Sequence, residues 1–216
     1  MRIGLYGGTF DPIHTGHLIV IENAINFMNL DKVIILPSSN PPHKKHKKKT
    51  ATNIRVEMVF EAIKDNDNIV LSTFESTDQT VRYTHETIGY FKEKFPDDEV
   101  FYILGEDSFL TIDTWKNYKE ILNEKIIVFA RSNIDKDSIL VKKFEEIKKA
   151  NPDIYLINNL NINISSTLIR QFSKEGKSIK YLVRDTVKYI IENRGLYVWL
   201  QKIWGKINIR YRDKTL

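Results

Sequence analysis

Six short, almost wholly apolar runs recur along this chain, separated by longer helical patterns: Ile3 to Tyr6, Val33 to Leu36, Ile69 to Leu71, Val100 to Leu104, Ile126 to Phe129 and Ile154 to Ile157. A strand with one face in water alternates apolar and polar residues, so runs without alternation belong to strands covered on both faces. The intervening stretches read as helices, for example Gly16 to Met28, Asn53 to Lys64, Tyr83 to Lys94, Ser138 to Lys149 and Thr167 to Lys174. Strand and helix in alternation build parallel sheets through crossover helices rather than sandwiches. The pattern predicts an α/β fold, a Rossmann-like doubly wound parallel sheet with a helical C-terminal part. The last helix of that part runs from about Asp185 to Asn193 and stops at Gly195.

The chain has 216 residues, 42% of them hydrophobic, which is enough for one large core and excludes wholesale disorder. No Gly/Ser linker or internal repeat divides it. Residues 1–197 read as one domain and residues 198–216 as a basic, amphipathic extension. The absence of cysteine removes disulfides, thiolate metal sites and cysteine nucleophiles together. Met1 runs straight into the first strand without a targeting segment, so a cytoplasmic location is the expectation. A formal charge of +5 points to an anionic partner without choosing which one.

Open α/β sheets bind ligands outside the carboxyl ends of their strands. The segment after the first strand therefore matters most: Gly7-Gly8-Thr9-Phe10-Asp11-Pro12-Ile13-His14-Thr15-Gly16-His17-Leu18, and then a helix. Paired glycines let the backbone turn tightly and approach a ligand, and a helix N-terminus favours phosphate. Two histidines three apart would, alone, more often be solvated than functional, and no further metal ligands lie nearby in sequence. A dinucleotide-binding dehydrogenase needs G-x-G-x-x-G and an acidic residue about 20 positions on. Gly4, Gly7 and Gly8 do not give that spacing, and the second strand ends in Leu36-Pro37.

The twelve-residue string resembles the H-x-G-H signature of the nucleotidyltransferase superfamily, in the longer form of nicotinate-nucleotide adenylyltransferases. Three further segments are similar to that family: Pro41-Pro42-His43-Lys44, Gly105-Glu106-Asp107 with Trp115, and Ile164-Ser165-Ser166-Thr167-Leu168-Ile169-Arg170. The last opens a helix with hydroxyl groups, Ser165 and Ser166 being possible N-caps, and places Arg170 one turn in. Gly176 closes that helix. Tyr83-Thr84-His85-Glu86-Thr87 resembles the family segment that holds the nicotinate carboxylate, with Arg82 where serine is usual.

The resemblance implies transfer of the adenylyl group of ATP to nicotinate mononucleotide, with Mg²⁺ carried in by ATP. It implies catalytic roles for His14, His17, Lys44 and Arg170. Gly7, Gly8, Thr9, Phe10, His14, His17, Gly105, Asp107, Ile164, Ser165, Ser166 and Arg170 would bind ATP. Asn40, Lys44, Tyr83, Thr84, Trp115 and Lys116 would form the acceptor pocket, Trp115 stacking on the pyridine ring. The remaining lysines of the run, Lys45, Lys47, Lys48 and Lys49, read as a solvated surface loop. The attacking phosphate is already an oxyanion, so no general base or covalent nucleophile is needed.

Sister enzymes that use phosphopantetheine or glycerol phosphate share H-x-G-H and an S-S-T-like motif, but Pro41 to Lys44 and the Asp107 to Trp115 segment favour the nicotinate enzyme. A nucleotide sensor or RNA-binding protein on this fold is a further alternative, which the intact phosphate-site residues oppose, and no nucleic-acid partner is expected. In the extension, Trp199, Ile203, Trp204 and Ile207 could share a helical face beside Lys202 and Lys206. Docking on this domain or on a dimer mate is the expectation there, ahead of contact with a membrane surface.

Overall fold

The computed structural model describes residues 1–39, 49–77, 81–130, 135, 137–158 and 163–198. Asn40, Lys44 and the extension beyond Val198 lie outside the described residues. The apolar runs form six strands: β1 (Arg2–Gly8), β2 (Lys32–Pro37), β3 (Ile69–Leu71), β4 (Glu99–Gly105), β5 (Lys125–Ala130) and β6 (Ile154–Asn158). All pairings are parallel and the order across the sheet is β3-β2-β1-β4-β5-β6. The order reverses between β1 and β4, and a doubly wound sheet opens a crevice at that reversal, above the carboxyl ends of the two strands.

Because successive side chains of a strand point to opposite faces, each apolar run feeds two cores. Tyr6, Ile35, Ile103 and Phe129 join one cluster with α1 (Thr15–Met28), α2 (Thr52–Ile63), α7 (Ser166–Glu175) and α8 (Asp185–Asn193). Leu5, Leu36, Tyr102 and Val128 join the other with α3 (Thr84–Lys94), α4 (Glu106–Leu110), α5 (Tyr118–Ile121) and α6 (Ile139–Lys148). Continuous hydrophobicity along the strands is thus the direct consequence of helices on both faces. The short α4 and α5, and the 3-10 turn at Ile112–Thr114 between them, carry too few residues to show a periodicity in sequence.

Helix α7 starts and stops as its sequence dictates. The Ser165 hydroxyl accepts the Leu168 N–H at 3.1 Å, and Gly176 closes the helix in the left-handed region at φ 72°. Ser166 is the first helical residue rather than a cap. Helix α8 is fastened to α2 by Arg194 to Glu57 at 2.7 Å, by the Thr186 hydroxyl to the Glu61 carbonyl at 3.0 Å and by the Arg184–Asp65 ion pair. This brings the C-terminal part across the first core and delivers Tyr197 to the β1 turn.

Candidate active site

The β1 turn, the carboxyl end of β4 and the start of α7 enclose a cleft of about 630 Å³ at the reversal of strand order. Its base is the H-x-G-H helix start. His14 is the N-cap of α1 and is buried; its Nδ1 accepts the His17 N–H at 3.3 Å. His17 reciprocates, its Nδ1 accepting the His14 N–H at 3.3 Å. A ring nitrogen that accepts cannot carry the proton, so both imidazoles hold their hydrogen on Nε2. The rings stack with centroids 3.6 Å apart, and Phe10 meets His17 edge-on at 5.0 Å. Gly16 makes room for this: a Cβ there would lie 3.1 Å from His14 Nδ1. At Gly8 a Cβ would fall 2.8 Å from the ring of Phe10, which folds back over the turn.

The I-S-S-T-x-I-R helix start is bonded directly onto this turn. Arg170 donates to the Asp11 carbonyl at 2.7 Å and to the Thr167 hydroxyl at 3.1 Å, and Ser166 donates to the Pro12 carbonyl at 2.9 Å. Two segments 159 residues apart in sequence thereby present two helix N-termini and an arginine to one space. Helix N-termini carry unpaired N–H groups and the positive end of the dipole, so the space suits a polyphosphate.

Asp11, buried beneath, accepts the Tyr197 hydroxyl at 2.6 Å on one carboxylate oxygen and the Thr50 N–H at 3.2 Å on the other. Burial, with the Asp11 charge second, pushes the Tyr197 hydroxyl far above its ordinary value. Tyr197 therefore keeps the proton that makes the hydrogen bond.

Gly105, Asp107, Ser108 and Trp115 line the cleft where the chain leaves β4. Trp115 is partly buried and packs against the second core cluster while showing part of its surface to the cleft. Tyr102 lies at the floor; burial raises its hydroxyl well above the usual range, and it hydrogen-bonds with Thr84. Beside it the Arg82 guanidinium covers the ring of Phe74 at 4.3 Å and sits near Glu75. Glu75 accepts the Thr87 hydroxyl at 2.7 Å, and burial raises its carboxyl to about 7 despite that bond and the Arg82 charge.

Of the residues expected from sequence, Gly7, Gly8, Thr9, Phe10, His14, His17, Gly105, Asp107, Trp115, Ile164, Ser165, Ser166 and Arg170 all line this cleft. Tyr83, Thr84 and Lys116 do not line it. They stand beside it, Lys116 exposed and Tyr83 and Thr84 half-buried, with the Lys116 ammonium over the Tyr83 ring at 4.1 Å and Thr84 on Tyr102. Lys49, expected in a solvated loop, is half-buried and also lines the cleft, next to Thr50, whose N–H is bonded to Asp11; Lys45, Lys47 and Lys48 lie outside the described residues. Tyr102, Ser108, Asn163 and Thr167 also line the cleft. Tyr102 reads in sequence as one more apolar residue of a buried strand, and nothing local marks its hydroxyl.

Residues 5–172 match the model of the cytidylyltransferase-like family. The chain is 39% identical over 195 residues to a probable nicotinate-nucleotide adenylyltransferase of Clostridium novyi (strain NT), a span that covers 90% of this chain and 98% of the relative. It is 40% identical over 195 residues to a protein of the same description from Clostridium acetobutylicum, with the same coverage. The fold is similar to that of a Plasmodium falciparum nicotinic acid mononucleotide adenylyltransferase complexed with NaAD. That similarity has a TM-score of 0.75 at 23% identity and covers 91% of this chain and 97% of the other.

Proposed function

The chain belongs to the cytidylyltransferase-like family and, within it, to the nicotinate-nucleotide adenylyltransferases, and on that premise we propose how its cleft carries out the reaction. The activity is transfer of the adenylyl group of ATP to nicotinate mononucleotide, giving nicotinate adenine dinucleotide and pyrophosphate in NAD synthesis. In the mechanism we propose, an oxygen of the mononucleotide's 5′-phosphate attacks the α-phosphorus of ATP in line. The new phosphoanhydride bond forms as the bond to pyrophosphate breaks. The attacking oxygen is anionic at neutral pH and the leaving group takes its electron pair without needing a proton. The barrier is the meeting of two polyanions, which cations and aligned N–H groups lower by positioning and charge stabilisation.

His14 and His17, donating from Nε2, and Arg170 face the phosphates; Lys44 is assigned the same task by resemblance alone. Mg²⁺ carried in by ATP would be held by the substrate's own phosphate oxygens and would supply further charge stabilisation there. Among the described residues no three His, Asp or Glu side chains gather into a cage for it, and magnesium held by substrate phosphates needs few protein ligands. Asp107 and Gly105 serve the adenosine side, and Trp115 offers an indole face to the pyridine ring. Tyr83, Thr84 and Lys116 flank that pocket, and Asn40 completes it by resemblance. Cytoplasmic location, and docking of residues 198–216 on the domain or on a second copy of the chain, belong to the same reading.

One observation carries the proposal: Arg170 and Ser166 are bonded to the Asp11-Pro12 carbonyls, fusing the two phosphate motifs into one site. The test is pyrophosphate release from ATP and Mg²⁺ with nicotinate mononucleotide, nicotinamide mononucleotide and phosphopantetheine as separate acceptors. Release with the first supports the reading. Release only with phosphopantetheine overturns the acceptor, and silence with all three favours a nucleotide sensor.

A further inference from the structure

Arg55 is 1% exposed and does not line the cleft, yet its guanidinium reaches three separate segments behind the cleft wall. One terminal nitrogen donates to the Thr9 carbonyl of the glycine turn at 2.6 Å. Nε donates to the Thr50 carbonyl at 3.0 Å, and the other terminal nitrogen reaches the Thr52 hydroxyl at 3.1 Å and the Ser39 carbonyl at 3.5 Å. Ser39 and Thr50 flank the segment 40–48, and Thr50 also gives its N–H to Asp11. A planar fork of five donors can serve carbonyls on several strands of chain at once, which the point charge of a lysine cannot. Burial pulls the guanidinium below its ordinary value, opposed by the charges of Asp11 and Tyr197. A buried cation is costly unless its donors are well used, so this many carbonyl contacts on one arginine mark a built feature and not a surface charge turned inward.

We infer that Arg55 is a positioning residue of the phosphate end of the cleft, fixing the Thr9 to Asp11 turn and the Lys49-Thr50 wall against each other. The inference rests on the proposed adenylyl transfer, because the phosphates it serves are those of ATP. Arg55 itself touches no substrate. Its action is transmitted through the Thr9 carbonyl to the turn that carries His14, and through Thr50 to Lys49.

The experiment compares wild type, Arg55→Lys and Arg55→Met for thermal unfolding, for pyrophosphate release, and for binding of inorganic tripolyphosphate and of adenosine. In a variant that still unfolds cooperatively, kcat is expected to fall and the tripolyphosphate Kd to rise, each on the order of tenfold, as loss of alignment by a fraction of an ångström predicts. Adenosine binding is expected to stay within about twofold, since Gly105 and Asp107 follow β4 and none of the Arg55 bonds given above goes to that segment. Unchanged kcat and tripolyphosphate binding in a folded variant overturn the inference. So does equal weakening of both ligands, which reports general loosening, and so does failure of both variants to fold, which makes Arg55 a core residue. A wild type silent with every acceptor sinks the adenylyl-transfer reading instead, while the tripolyphosphate comparison still decides the role of Arg55.

Discussion

Replacing Gly16 by alanine sets stability and activity against each other. Gly16 is the second residue of α1 and its φ is ordinary, so the backbone accepts a Cβ without strain. Alanine is the better helix former, by somewhat less than the ~1 kcal/mol seen in helix interiors. The new methyl, however, lies 3.1 Å from His14 Nδ1, 3.2 Å from its Cε1 and 3.7 Å from the Ile164 Cβ. Comfortable contact begins at about 3.5 Å, so the imidazole must retreat by roughly 0.3–0.4 Å. His17, stacked at 3.6 Å, limits the retreat, and the 3.3 Å bond to the His17 N–H must lengthen. If a 1 Å misplacement costs about 100-fold, this shift costs about 4- to 6-fold in kcat. Urea unfolding should show Gly16→Ala within about 1 kcal/mol of wild type, while pyrophosphate release under saturating substrates slows by that factor. A folded variant with wild-type kcat would refute the placement of His14 at the reacting phosphates.

Glu75 gives a pH prediction. Its carboxyl is raised from 4.5 to about 7 by burial, so between those values the folded protein holds a proton that the unfolded chain releases. Its contribution to stability is fully present below pH 4.5 and is lost as pH rises through 7, by at most about 3 kcal/mol. Glu75→Gln keeps an oxygen for the Thr87 hydroxyl and should match wild type near pH 5 and exceed it at pH 8 by urea unfolding. Parallel curves would remove Glu75 from the pH dependence. Tyr197→Phe strips one carboxylate oxygen of Asp11 of its 2.6 Å donor and should cost about 1–3 kcal/mol, read as a lower urea midpoint with unchanged slope; an unmoved midpoint contradicts the network. Trp115→Ala should raise the KM for the mononucleotide several-fold with little change in that for ATP, as expected for loss of an aromatic stacking partner, and a normal KM would return Trp115 to the core.

The sequence by itself determined the six strands and the parallel class of their sheet, because strands buried on both faces cannot disguise their hydrophobicity. It also determined the local signals: Ser165 opening α7, Gly176 closing it, and the glycines that the β1 turn requires. These depend on residues within a few positions of one another. Most of the cleft wall was legible too, since its motifs sit directly after β1 and β4 and at the start of α7.

Only the tertiary structure decided which of these groups meet. Arg55 in α2 reads as a polar residue on a surface helix, and its burial depends on carbonyls up to 46 positions away. Tyr197 and Asp11 are 186 residues apart and are joined because α8 docks on α2 through Arg194 and Glu57. Lys49 reads as one more charge in a basic run, and the bond from the neighbouring Thr50 to Asp11 helps to hold it beside the cleft. Tyr83, Thr84 and Lys116 stand beside the cleft and not on its wall, and sequence spacing shows which segment approaches a ligand but not which side chain faces it. Hydrophobic pattern and caps are written locally in the chain. Charge pairing, burial of polar groups and the shape of the cleft arise only when distant segments exclude water from one another.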